Sequence, residues 1–199
     1  MADRNGSEIS IEKGGLADIQ AEVVSIKMGG ARNIRATEVS ITQGGANEIQ
    51  GDQVWLRQGG AQHIAAKEAI VRQGGVVQVN ADRLEMTQGG IVLAQTGSAH
   101  TVGSSIGVVL AGGNVVLDQS AAKGVIARGD ATFDQSGVGG VIARSARVNN
   151  SAVGFLIAGQ VNGDVTPLFG AKEAAIFGTL FGVAVGVILW LKDRFGKVK

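Results

Sequence analysis

Residues 41–90 read ITQGGANEIQGDQVWLRQGGAQHIAAKEAIVRQGGVVQVNADRLEMTQGG. A Gly-Gly pair begins at 44, 59, 74 and 89, and the same pair stands at 14 and 29. Six copies spaced by 15 residues without a slip make an internal repeat, and a repeat of this period decides the architecture before any single residue does. Each unit follows the form I-x-Q-G-G-x-x-x-I-x-A-x-x-V-x. Ile11, Ile26, Ile41, Leu56, Val71 and Met86 fill one column. Ile19, Ile34, Ile49, Ile64 and Val79 fill a second, and Val24, Val39, Val54, Ala69 and Leu84 a third. Ala21, Ala36, Gly51, Ala66 and Ala81 supply a column of small residues.

A helical repeat would need a 3.6-residue period sustained over a dozen residues, and none is present. The unit divides instead into three pentads, which predicts a coil with three sides. Branched aliphatic columns suit strands, whose alternate residues share a face. Gly-Gly pairs suit corners, where a positive φ or a missing side chain is needed. Gln43, Gln58, Gln73 and Gln88 precede the glycines and are placed to form an amide ladder along the coil axis.

Beyond residue 100 the period loosens. Val109-Leu110-Ala111, Val125-Ile126-Ala127, Val141-Ile142-Ala143 and Leu156-Ile157-Ala158 step by 16, 16 and 15 residues. Asp118-Gln119-Ser120 and Asp134-Gln135-Ser136 recur in phase, and Asn149-Asn150-Ser151 echoes them. These are slightly longer turns of the same coil. The expected fold is therefore an all-β solenoid, a three-sided β-helix of 15 to 16 residues per turn. Roughly ten or eleven coils at ~4.8 Å each would make a rod about 50 Å long.

The five-residue sides resemble the triangular β-helix of some insect antifreeze proteins. Those carry Thr-x-Thr ladders on a flat face, which this chain lacks, so ice binding does not carry over. Over residues 9–165 the style of the chain also resembles the bactofilins, polymer-forming bacterial cytoskeletal proteins. That resemblance implies a scaffold that polymerises.

Composition agrees with a thin aliphatic core. Apolar residues make up 45% of the 199, but aromatic residues only 4%, with 32 Gly and 1 Pro. A net charge of +1 without clustered Lys or Arg argues against nucleic acid as a partner. The absence of cysteine removes disulfides, thiolate metal sites and cysteine nucleophiles.

The two halves differ in surface. Charges of both signs alternate through the first, as on a solvated face. From Thr87 to Asp164 charges are sparse, and adjacent apolar residues cannot all point inward from a strand. Val108, Leu110, Val125, Ile126, Val141, Ile142, Phe155 and Leu156 are the expected members of an apolar stripe that binds a partner or a second copy.

Ala174 to Leu191 runs for 18 residues without a charge. At 1.5 Å per residue that is about 27 Å, enough for one membrane-spanning helix. Lys172 and Glu173 precede it, and Lys192, Asp193, Arg194, Lys197 and Lys199 follow. Gly178, Gly182 and Gly186 lie on one face of that helix as overlapping G-x-x-x-G motifs, a packing surface in lipid. The basic tail favours a cytoplasmic C-terminus. That orientation would require export of the solenoid, yet the start carries no secretory signal, so the opposite one, a tail-anchored protein with a cytoplasmic solenoid, is the simpler expectation. The expected organisation is an N-terminal cap at 1–8 and regular repeats at 9–100. Longer turns follow at 101–166, then a linker at 167–173, the span at 174–191 and a basic tail at 192–199.

Catalytic signals are missing. His63 and His100 stand in different units, and only Glu48, one turn below His63, offers a carboxylate. Hexapeptide-repeat acyltransferases use six-residue sides and a catalytic His, whereas the sides here have five. Asp118, Asp130, Asp134 and Asp164 are oxygen ligands without a recognised cation-loop spacing. No phosphate loop or nucleophile motif occurs. The chain reads as a non-enzyme without cofactor or metal, a membrane-anchored scaffold that self-assembles or docks a protein. The alternative is a binding module that recruits a protein or glycan through charged faces near Arg32, Arg57 and Arg72.

Overall fold

The structure, a computed structural model, describes the backbone of residues 4–167 and 179. It describes side chains within 7–163, residue 16 excepted, and at 179. One compact unit spans Met1–Thr166 and a second Pro167–Lys199.

The first unit is a parallel β-solenoid. Its strands are β1 (Arg4–Ile11), β2 (Gly14–Arg35), β3 (Glu38–Arg57), β4 (Gly59–Arg72), β5 (Gly75–Thr87) and β6 (Gly90–Val102). Then come β7 (Ser105–Ala111), β8 (Val115–Asp118), β9 (Ala121–Ala127), β10 (Asp130–Asp134) and β11 (Gly137–Pro167). The early strands pass round corners and follow one another in the sheet. After β6 the turns break at their corners, so β6 pairs with both β7 and β8 and the ladder closes through β11. Residues 4–8, expected as a cap, already belong to the ladder, with Arg4 opposite Ile19.

Register follows the glycine spacing: Gly44, Gly59 and their successors stack in steps of 15. The steps of 16 have one local cause. Inward residues Thr96 and Ala99 flank a two-residue corner, as do Ala143 and Ala146. Between Ala111 and Val115, and between Ala127 and Ala131, the corner holds three. The extra residues are absorbed where Asn114 Oδ1 accepts the Asp130 N–H at 2.9 Å.

The column that begins at Ile11 rises through Ile26, Ile41, Leu56, Val71, Met86, Thr101, Leu117 and Phe133 to Val148. Those ten levels make about nine turns rather than ten or eleven. The difference lies at the top, where among the described residues Val153 is the last core side chain and Leu156 is only half-buried. Inward residues fall into three groups per turn, for example Val109 with Ala111, Val115 with Leu117, and Ser120 with Ala122. The three columns of large aliphatic residues are core, whereas the small column is half-buried except at Ala81. A further column, Ala46, Ala61, Val76, Ile91, Ile106, Ala122, Val138 and Val153, joins them.

Corners differ from the simple glycine reading. Gly14, Gly29 and Gly44 take positive φ, at 121°, 143° and 150°. From the fourth turn the left-handed residue is instead the one before the glycine, with Gln58, Gln73 and Gln88 each at 53°. Gly103, Gln119, Gln135 and Asn150 continue the same corner at 58°, 47°, 47° and 44°. A left-handed glutamine is strained and persists only where its surroundings hold it. The N–H groups of Gln58, Gln73 and Gln88 donate to carbonyls of the coil above at 3.0, 2.9 and 3.0 Å. The expected amide ladder is also formed: Gln43 donates to Gln58, Gln58 to Gln73 and Gln73 to Gln88, each at 3.2 Å.

Serine replaces the first corner glycine in the upper coils. Ser104, Ser120, Ser136 and Ser151 are all buried. The Oγ of Ser120 accepts the Ser104 N–H at 3.1 Å and donates to the Asp118 carbonyl at 2.7 Å. Ser136 and Ser151 repeat that arrangement one and two turns higher. Among the described residues no buried side-chain polar atom lacks a partner. Ser120→Ala would leave the Ser104 N–H unsatisfied inside the rod. We expect it to lower the unfolding free energy by about 1–3 kcal/mol in urea melts. A loss within error of zero would mean that the ladder does not hold the corner.

Candidate docking face

One side of the upper coils carries the exposed apolar surface. Leu110 is opposite Ile126 in the ladder, and Ile126 opposite Ile142. Gly154 rests on the Gly139 carbonyl, which continues the stack with a 15-residue step and puts Ile157 next in the row. Strand alternation turns this row outward. Ile126 and Ile142 are each 45% exposed and Ile157 51%, while neighbouring Val125 and Val141 are 1% and 0%. A parallel row along the adjoining corner runs Leu93, Val108, Gly124 and Gly140. Its glycines keep that corner low beside the isoleucine row, and Phe155, 60% exposed, stands in the upper coil.

Of the eight residues expected in the stripe, Val108, Ile126, Ile142 and Phe155 are exposed, and Leu110 and Leu156 are half-buried. Val125 and Val141 are a correction, because they point into the core. Each belongs to an adjacent apolar pair, and alternation allows only one of a pair to face water. Ile157 was missed for the same reason, since the register decides which member of Leu156-Ile157 turns out. Val77 and Val92, 50% and 62% exposed, extend apolar surface one corner towards the regular repeats.

The face has a cationic rim. Lys123 lies on the corner beside Gly124, and Arg128 and Arg144 lie on the opposite corner, all exposed. Ion pairs among the described residues fall in the first half, Lys27 with Glu12 at 3.1 Å and Lys67 with Asp52 at 2.8 Å. The hydrogen bond to Asp52, and then that carboxylate's charge, raise the Lys67 pKa above its ordinary value. Both partners of each pair are well exposed, so their contribution to stability is small.

No protein-family model, curated protein or solved structure matches the chain. The bactofilin resemblance therefore stands on architecture alone, a parallel β-solenoid.

Other candidate groups are dispersed. His63 sits between Glu48 and Gln78 in its column, and His100 between Glu85 and Val116 in another. Both are exposed. Asp118 and Asp134 are ladder neighbours, but Asp130 pairs with Ser145 in a different column. No three His, Asp or Glu side chains gather as a metal site among the described residues. Arg57 and Arg72 stack on one another, whereas Arg32 lies between Ala31 and Asn33 on a separate column. The stretch 174–191, its packing glycines Gly178, Gly182 and Gly186, the linker 168–173 and the tail 192–199 lie outside the described residues, apart from a helical, exposed Thr179. Among the described residues no helix is long and apolar enough to cross a membrane.

Proposed function

We propose that the chain is a non-catalytic structural scaffold, a rigid rod held at a membrane by residues 174–191. It docks through one apolar side, onto a copy of itself or onto another surface. The observation that carries the reading is the row Leu110, Ile126, Ile142 and Ile157, outward on successive coils of a solenoid that needs none of them for its core. Apolar surface repeated at one position over several turns is an interaction surface more often than an accident. The 18-residue uncharged stretch supports attachment, because its length matches a hydrocarbon core. Recruitment through charged faces remains a second reading, and the stacked Arg57 and Arg72 favour it. In the scaffold reading their replacement by glutamine leaves docking intact.

Membrane fractionation tests the anchor. The full chain should stay with the membrane through a high-pH wash that strips peripheral proteins. A chain ending at Thr166, where the solenoid unit closes, should be released. Release of the full chain in that wash would sink the anchored-scaffold reading.

A further inference from the structure

We propose that the side of the rod centred on Ile126 and Ile142 docks flat onto the anionic surface of a lipid bilayer. The inference rests on the membrane-scaffold reading and names what the rod docks against.

The face combines two features that an anionic leaflet satisfies together. Its centre is aliphatic, with Ile126 and Ile142 in one row, and Gly124 and Gly140 keep the adjoining corner low. Its edges are cationic, Lys123 on one and Arg128 and Arg144 on the other. Of the carboxylates in the same coils, Asp118 and Asp134 share a column at another corner. Asp130 stands in the arginine corner itself, where its carboxylate accepts a hydrogen bond from Ser145 Oγ at 2.8 Å, and the two arginines leave that edge net cationic. Lys123, Arg128 and Arg144 have no ion-pair partner among the described residues. Aliphatic side chains can enter the boundary between headgroups and acyl chains while flanking Lys and Arg reach the phosphates.

A second copy fits the same face less well. A two-fold axis parallel to the rod would set the Lys123 edge against the arginine edge of the partner. An axis across the rod would set each edge against itself. Both arrangements bring like charges together around an apolar centre, which opposes pairing. An anionic leaflet supplies the missing sign on both edges at once.

The chain contains no cysteine, so single labels are clean. Ile142→Cys places a polarity-sensitive fluorophore on the face, and Ala152→Cys places one on an exposed position of the same region that turns away from it. The labelled full chains are reconstituted with vesicles of phosphatidylcholine alone, or with about one-third phosphatidylglycerol, a surface negative enough to attract basic residues. Spin-labelled lipid is the quencher. The label at 142 should be quenched and blue-shifted on anionic vesicles, weakly so on neutral ones, and the label at 152 on neither. Replacing Lys123, Arg128 and Arg144 by glutamine should lower the docked-to-undocked ratio about five-fold per charge, on the order of a hundred-fold for all three.

Flotation read on the same samples separates the two ideas. If the chain floats with both vesicle types but the label at 142 stays in water, docking is overturned and the anchor stands. If the label is shielded equally without lipid, a protein or a second copy occupies the face, and the proposal fails. If the chain floats with neither, anchor and docking fall together.

Discussion

Replacing Phe133 by alanine is expected to cost the rod about 3–5 kcal/mol, the largest loss available from one core side chain here. Phe133 is fully buried and heads the largest enclosed side chains of the solenoid. In the ladder it lies between Leu117 below and Val148 above. A core this narrow has no second layer that could collapse into the space. The cavity is walled by hydrogen-bonded backbone around the coil and closed by the buried Leu117 and Val148, so relaxation is small and the cavity cost stays high. Phe133→Leu keeps most of the volume and should cost less than about 1.5 kcal/mol. Urea unfolding of residues 1–166 reads both, since the core of the described residues lies in this unit. In a stacked coil each turn touches only its neighbours, so the alanine variant should also show a shallower transition as the upper coils melt first. A loss near 1 kcal/mol would contradict the enclosure of Phe133.

The repeat was legible because a solenoid writes its structure in one dimension. Residues one period apart are neighbours, so a column in the sequence is a column in space. Ile26, Ile41 and Leu56 could be placed in the core from spacing alone. The docking face was less legible. Val125-Ile126 and Val141-Ile142 are adjacent apolar pairs, and composition cannot say which member faces water. The answer comes from the two-residue corners at 123–124 and 139–140, after which Val125 and Val141 point inward. Such a corner looks like any other Gly-containing stretch until its flanks, Ala122 with Val125 and Val138 with Val141, are both seen to point inward. The cationic rim was missed for a related reason. Lys123, Arg128 and Arg144 are scattered in sequence and share a face only once the coil is closed.

The corner glycines carry the second large effect, and here two adjacent, identical residues should behave oppositely. A Cβ built at Gly74 would lie 2.6 Å from the Gly59 carbonyl oxygen and 3.3 Å from Val71 Cγ1. The first contact is with backbone of the coil below, which cannot swing away as a side chain can. Gly74→Ala must therefore push two coils apart or distort the corner, an overpacking cost of about 1–3 kcal/mol. A Cβ at Gly75 meets nothing within 4 Å. Neither residue carries a positive φ, because the left-handed position of this corner belongs to Gln73 at 53°. Gly75→Ala should then be neutral, or stabilising by about 0.4–1 kcal/mol through the reduced freedom of the unfolded chain. Gly44→Ala should be worse than Gly74→Ala. It adds a φ of 150° to a Cβ that overlaps the Gly29 carbonyl oxygen. Thermal melts of the three variants rank them directly. Equal losses at 74 and 75 would mean that the pair serves conformational freedom, as the repeat alone suggests. A loss confined to 74 would mean that the spacing between coils selects glycine there, and that the 15-residue repeat is kept by contact between backbones rather than by turn preference.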